Sequence, residues 1–327
     1  MRPFMRGAFV ATSLIASAVV AIPQSIAQTP AYPTRPVKLV LAFGAGGSVD
    51  VIARLLSVKV GESWGHPLVI ENKPGADGDL AGEAVARAAP DGYTLLLTSQ
   101  AVAVNVTLRP KRAYKIDELA PVMLLAETQA VLAVPIAFPA KSVKEAVDLA
   151  KSNPGKYDYG STGIGTSGHM AMELFRITAG IDIVHVPFRN IGQWMTDLIA
   201  GRISLGMPTI PAATGHIRAG RLRALGVSGK KRSAALPDVL PVAEAGVPGY
   251  AATTWYGLFA PRGTSQAIIT RANEGFRIAM DDPANKTRLS DLGVEPIAST
   301  PAALGTHASS EVERWAKVIK QARIKPE

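Results

Sequence analysis

Three features of the sequence predict an α/β protein of two domains. Apolar runs of strand length alternate with segments of helical period along most of the 327 residues, a length that accommodates two cores. A glycine-rich turn joins strand to helix once early, at Gly44 to Ser48, and again near the middle, at Ser161 to His169. Between them, Ala120 to Pro135 is apolar and extended without helical period, as suits a strand that passes from one domain into the other.

The chain opens with Arg2 and Arg6 ahead of an apolar run from Ala8 to Ile22 and the small-x-small site Ser25-Ile-Ala27, the pattern of a cleaved secretory signal over residues 1–27. Thr12, Ser13 and Ser17 interrupt the run, which is short for a membrane span. Its removal takes away two arginines and no acids, so the net charge falls from +9 to +7. Lysines and arginines are scattered, with no aromatic-interleaved basic cluster, so the charge argues for attraction of anionic solutes and against nucleic acid. Zero Cys excludes a disulfide, a thiolate nucleophile and a cysteine metal site.

Leu39 to Phe43 reads as a buried strand, and Ile52, Leu55 and Leu56 share one face of the helix that follows. Gly44, Gly46 and Gly47 let the backbone turn tightly and let a ligand approach the peptide N–H groups, with Ser48 placed to cap the helix. The first N–H groups of a helix have no internal acceptor and sit at the positive end of its dipole, so a carboxylate or phosphate is stabilised there. An ordinary strand-to-helix connection has the same composition. Pro67 to Glu71 is a short strand, Asn72 to Gly78 a loop, and Leu80 to Ala88 a helix. Tyr93 to Thr98 is a second buried strand, ending at Ser99-Gln100 on the edge where α/β sheets hold ligands.

A helix spans Val143 to Lys151, and the second turn then leads into a helix with Ala171, Leu174 and Phe175 on one face. Thr162, Thr166 and Ser167 offer hydroxyls to an anion, and they serve equally in turns and caps. Ile183 to Pro187 is a strand with Phe188-Arg189-Asn190 beyond its end; a helix follows at Met195 to Ala200, then a strand from Ile203 to Met207 leading to Pro208-Thr209. Arg223 to Ser228 and Thr253 to Ala260 are further strands, the last returning to the first domain. In the C-terminal helix Val312, Trp315, Ala316 and Ile319 share a face, which makes Trp315 a packing residue.

Gly163-Ile-Gly-Thr-Ser-Gly168 matches the dinucleotide pattern, but the next strand ends in Arg189-Asn190 rather than in an acid, so a carboxylate-binding turn is the better reading. There is no G-x-S-x-G nucleophile elbow, and the five histidines are scattered without metal-ligand spacing, so neither catalysis, a metal nor another cofactor is expected. His169 in the first turn of its helix reads either as a ligand donor or as a packed side chain. Arg189 is positioned to clamp a carboxylate, or it is simply solvated.

Tyr32-Pro-Thr-Arg-Pro-Val-Lys-Leu-Val-Leu-Ala-Phe-Gly-Ala-Gly-Gly-Ser-Val-Asp50 resembles the opening of the Bug (TctC) family, the exported solute receptors of tripartite tricarboxylate transporters. Val69-Ile-Glu-Asn-Lys-Pro-Gly-Ala76, Ala89-Pro-Asp-Gly-Tyr-Thr-Leu-Leu96, Val184-His-Val-Pro-Phe188 and Val242-Ala-Glu-Ala-Gly-Val-Pro-Gly249 continue the resemblance in order. It implies a two-domain type II periplasmic binding protein fold with a ligand cleft between the domains. Domain 1 is then formed by residues 28–126 with 248–327, and domain 2 by 127–247.

The resemblance also implies a periplasmic, non-catalytic, monomeric receptor that delivers a small organic carboxylate to the membrane subunits of such a transporter. A sensing module for a signalling partner and an exported enzyme on the same fold are the alternatives. The expected ligand contacts are Phe43, Gly44, Gly46, Gly47, Ser48, Ser99 and Gln100 from one wall. The other wall offers Thr162, Thr166, Ser167, Gly168, His169, Arg189, Asn190, Pro208 and Thr209. Where the family often carries Phe-Asp after the later strand, this chain has Met207-Pro208-Thr209, so a ligand ammonium lacks its acid partner and an amino acid is disfavoured. Asn190, Gln193, Trp194 and Thr209 suit a neutral, partly aromatic wall for an aromatic or dicarboxylic acid.

Overall fold

Residue 1 and residues 32–325 are described by a computed structural model, and the signal expected over 1–27 lies outside the described residues. The strands and helices alternate from β1 (Val37–Leu41) through α1 (Ser48–Trp64), β2 (Leu68–Asn72), α2 (Asp79–Ala86), β3 (Thr94–Ser99) and α3 (Ala101–Leu108) to β4 (Leu119–Gln129). There follow β5 (Val131–Pro135), α4 (Val143–Ser152), β6 (Asp158–Ser161), α5 (Ser167–Ala179), β7 (Val184–Pro187), α6 (Ile191–Ile199), β8 (Leu205–Gly206), α7 (Ile210–Arg218) and β9 (Leu222–Val227). The chain closes with β10 (Thr253–Pro261), α8 (Gln266–Asp281), α9 (Pro283–Asp291), β11 (Val294–Pro296) and α10 (Pro301–Ala322).

Two sheets organise these elements, in the orders β11-β4-β10-β3-β1-β2 and β7-β6-β8-β5-β9. Each has parallel strands at one side, β1 with β2 and β3, and β6 with β7 and β8. Leu39, Leu41, Leu95 and Leu97 pack on one face and Val40 and Leu96, likewise buried, on the other, the near-continuous apolar strands expected of a sheet covered on both faces. A helix after each parallel strand turns the carboxyl ends of both sheets toward the same cleft.

The extended run from Ala120 to Pro135 is two strands rather than one. β4 belongs to the first sheet and β5 to the second, with the break at Ala130, which bridges Thr209. Ser228 seals this crossing, accepting from Ala130 N at 2.8 Å and donating to Ala252 O at 2.6 Å, so the outgoing and returning segments are tied side by side. Pairing of Ser99 with Tyr256 then sets β10 beside the strand end of β3.

Ala101–Leu108 is helical although its apolar residues favour no single face, because α3 is buried almost all round against α10 and β3. α6 begins at Ile191, four residues before the expected start, because Asn190 Oδ1 accepts from Gln193 N and caps it. Trp315 is fully buried and its indole donates to Glu311 at 2.8 Å, in keeping with a packing role.

Candidate functional site

A cavity of about 550 Å³ opens between the carboxyl ends of the two sheets, a size suited to a small organic molecule. One wall carries Phe43, Gly44, Gly47, Ser48 and Ser99, and the other Thr162, Thr166, Ser167, Gly168, Arg189, Asn190, Pro208 and Thr209, all of them expected from the sequence. Gly46, Gln100 and His169 are not brought to the surface of the cavity.

The first turn is shaped from beneath by Asp50. Its carboxylate accepts from Gly46 N at 3.0 Å, from Arg54 Nε and from Asn72 Nδ2, and Asn72 also donates to Phe43 O. Burial pushes the Asp50 carboxyl up, but the hydrogen bonds from Arg54, Gly46 and Asn72 outweigh it and hold the group below the usual carboxylate range. Gly46 takes a φ of +80°, which explains the glycine, and its N–H is spent on Asp50 rather than on a ligand. The cap of α1 is Gly47, not Ser48, so no side chain covers the first N–H groups of the helix. Ser48 Oγ instead meets Thr209 Oγ1 across the cleft.

The second turn follows the same plan with different parts. Ser161 is fully buried; its Oγ bonds His185 Nε2 at 2.7 Å and accepts from Gly163 N. Thr166 caps α5 by position, but its hydroxyl donates to Gly163 O at 2.8 Å, leaving the first N–H groups of α5 uncovered. His169 is packed inward: its Nδ1 accepts from Gly165 N, and its ring lies 4.4 Å from that of His185. Burial holds His169 down to about 3 and His185 down to about 4, so both are neutral supports of the turn.

α7 has Thr209 as its cap, again without a side-chain bond to its own helix. Thus α1, α5 and α7 all present uncapped N-termini at the cavity wall, whereas α4, α6, α8, α9 and α10 are each capped by a side chain of their own. α2 and α3 also lack a side-chain cap, but in α1, α5 and α7 the peptide donors that those five capped helices satisfy are left for whatever occupies the cleft.

Apolar surface fills the remaining walls. Trp194 lies over Gly160, Gly168 and Gly206, where a Cβ at Gly160 or Gly206 would collide with the indole. Phe43, Ile164, Phe188 and Ile191 complete this surface. Among the described residues that line the cavity, Arg189 is the only cation and Asp77 the only acid. Asp77 is paired with Arg109 at 2.9 Å. It stands on a lip where Ala76 and Asp77 both take positive φ, and its Oδ1 lies against Gly163 of the opposite turn. Among the described residues no group of His, Cys, Asp and Glu could hold a metal ion.

Sequence reasoning did not single out Tyr256, Thr254 or the lip at Gly75 to Gly78. β10 read only as a returning strand, yet the crossing brings its Thr254 and Tyr256 to the cavity. No local pattern signals that.

Residues 52–324 match the family model of the tripartite tricarboxylate transporter family receptor, TctC. The chain belongs to the TctC family. This TctC receptor is 36% identical over 296 residues to the UPF0065 protein in the tcbD-tcbE intergenic region of Pseudomonas sp. strain P51, covering 90% of this chain and 88% of that one. It is 33% identical to Protein BugT of Bordetella pertussis, covering 98% and 96%. Among solved structures, R. palustris Rpa4515 with adipate superposes with a TM-score of 0.87 at 33% identity, over 90% of this chain and all of that one. MatC from Rhodopseudomonas palustris with bound malate superposes at 0.82 and 33% identity, over 88% and 100%. The TctC chain has the two-domain type II periplasmic binding protein fold that these neighbours share, and its family is one of solute-binding receptors.

Proposed function

We propose that this TctC protein captures a small organic dicarboxylate in the interdomain cavity and delivers it to membrane subunits of a tripartite tricarboxylate transporter. The observation that carries the reading is the opening of three uncapped helix N-termini, α1, α5 and α7, onto one cavity. Peptide N–H groups and helix dipoles from both walls hold one carboxylate without a buried countercharge. Arg189, exposed at the rim and without a hydrogen-bond or ion-pair partner among the described residues, takes the second. The apolar surface around Trp194 and Phe188 accommodates the carbon chain between them. The adipate and malate held by structural neighbours of this chain support an acid of this class.

Residues 32–129 with 253–325 form one closing body and 130–252 the other, hinged at the paired segments around Ala130 and Ala252. Closure follows from the contacts a ligand makes with both walls, since a ligand shifts the equilibrium only by its differential affinity for the closed state. The mature protein acts as a periplasmic monomer once its signal is removed. Isothermal titration with adipate, malate and benzoate, and with neutral adipamide as control, tests the reading. Adipate binding at least tenfold tighter than adipamide is expected, and absence of binding by all three acids overturns it.

A further inference from the structure

Tyr256 is 1% exposed, yet it lines the cavity, and its hydroxyl makes no hydrogen bond to the protein. Ser48 is its polar neighbour and draws the hydroxyl's pKa down a little, yet the two do not meet in hydrogen-bond geometry, and Ser48 Oγ bonds Thr209 Oγ1. A buried phenol almost always finds a partner, because leaving the O–H unsatisfied forfeits the hydration it lost. Tyr250 is the counterexample within this fold: equally buried, it donates to Ala171 O at 3.2 Å. The orphan at Tyr256 is therefore a donor whose partner enters from the cavity.

Its place in the fold says which atom that partner is. Tyr256 pairs in register with Ser99 at the carboxyl end of β3 and stands beside Ser48, the first helical residue of α1. The nearby free donors are the uncapped N–H groups of α1, which share the same acceptor. We propose that Tyr256 is a specificity-determining residue whose phenolic O–H donates to the carboxylate oxygen held at the N-terminus of α1. The inference rests on the carboxylate reading above and adds a residue to it. An O–H to carboxylate bond is charge-assisted, and Tyr256 stays protonated because burial raises its hydroxyl well above the ordinary tyrosine range.

Tyr256→Phe keeps the ring and its packing and removes the donor alone. Titrated with adipate and with benzoate, the variant is expected to bind each roughly tenfold to a hundredfold more weakly than the parent, because the contact is to the carboxylate both acids share. Arg189→Met is expected to weaken adipate alone. Without ligand, Tyr256→Phe should melt at or above the parent's temperature, since an unpartnered donor has been removed, whereas Tyr250→Phe should melt below it. Parent-like affinity of Tyr256→Phe for both acids, within twofold, overturns the inference while leaving the receptor reading intact. A parent protein that binds neither acid overturns both.

Discussion

Ser48 Oγ and Thr209 Oγ1 lie 2.7 Å apart, joining the first turn of α1 to the cap of α7 across the cleft. Thr209 holds the cap position of α7 without bonding its own helix, and Ser48 is the first residue of α1; both hydroxyls are turned to the opposite wall. A contact between the two walls favours the closed arrangement proposed above. Ser48→Ala or Thr209→Val should therefore weaken adipate binding roughly threefold to tenfold, the worth of a neutral hydrogen bond of about 0.5–1.5 kcal/mol. The double variant should be little worse than either single one. Additive losses measured by calorimetry would show that the two hydroxyls act separately.

Gly47 separates stability from binding. Its φ of −76° and ψ of 166° are open to any residue, and a Cβ there makes only an ordinary 3.5 Å contact with Gly44 O. Gly47→Asp supplies the missing cap and a charge that suits the helix dipole, so the unliganded protein should gain roughly 0.3–1 kcal/mol in denaturant unfolding. The same carboxylate occupies the donors meant for the ligand and repels it. Adipate affinity should fall by roughly a hundredfold or more, since opposed like charges cost several kcal/mol. A variant that binds as tightly as the parent would remove the first turn from the site.

The buried imidazoles make the protein sensitive to acid. His169 and His185 are held near 3 and 4 in the folded chain, below the ordinary value of 6.5 that they regain on unfolding. With the folded values depressed, the unfolded chain takes up protons first as the pH drops below about 6.5, so stability is lost toward pH 4. Roughly 2–3 kcal/mol should disappear between pH 7 and pH 5 in urea titrations, the two sites being coupled rather than additive. Asp79 and Glu127, both raised by burial, act in the opposite direction and soften the fall. His185→Gln should flatten the profile; an unaltered slope would place the acid sensitivity elsewhere.

Gly160 makes room for Trp194. A side chain at Gly160 meets the indole Nε1 and Cδ1, which are themselves buried. Gly160→Ala is expected to cost about 1–3 kcal/mol through overpacking. Displacement of the indole should alter the near-ultraviolet circular dichroism and weaken ligand binding together. Loss of stability with an unchanged spectrum and affinity would mean that the strand, not Trp194, absorbs the strain.

Much of this was legible in the sequence because it is local. Glycines between an apolar strand and a helical period mark a turn wherever they stand, and both turns lie at the cavity as expected. The same signals could not say which donors remain available. His169 and Gly46 belong to those turns, yet one is packed beneath and the other bonded to Asp50. Gln100 sits at a strand end of the expected kind but is buried as the N-cap residue of α3, away from the cavity.

By itself the sequence determined the alternation of strands and helices, the two glycine turns, a passage between domains within Ala120 to Pro135 and the likeness to TctC receptors, all carried by residues adjacent in the chain, whereas the break at Ala130 came from the sheet pairing. Tertiary structure alone decided that Ser48 meets Thr209 and that Arg109 neutralises Asp77. It also set Tyr256 at the cavity with its hydroxyl unspent. Burial and hydrogen-bond satisfaction depend on neighbours brought from distant parts of the chain. A residue's pattern shows what it can offer; packing settles whether that offer is already taken.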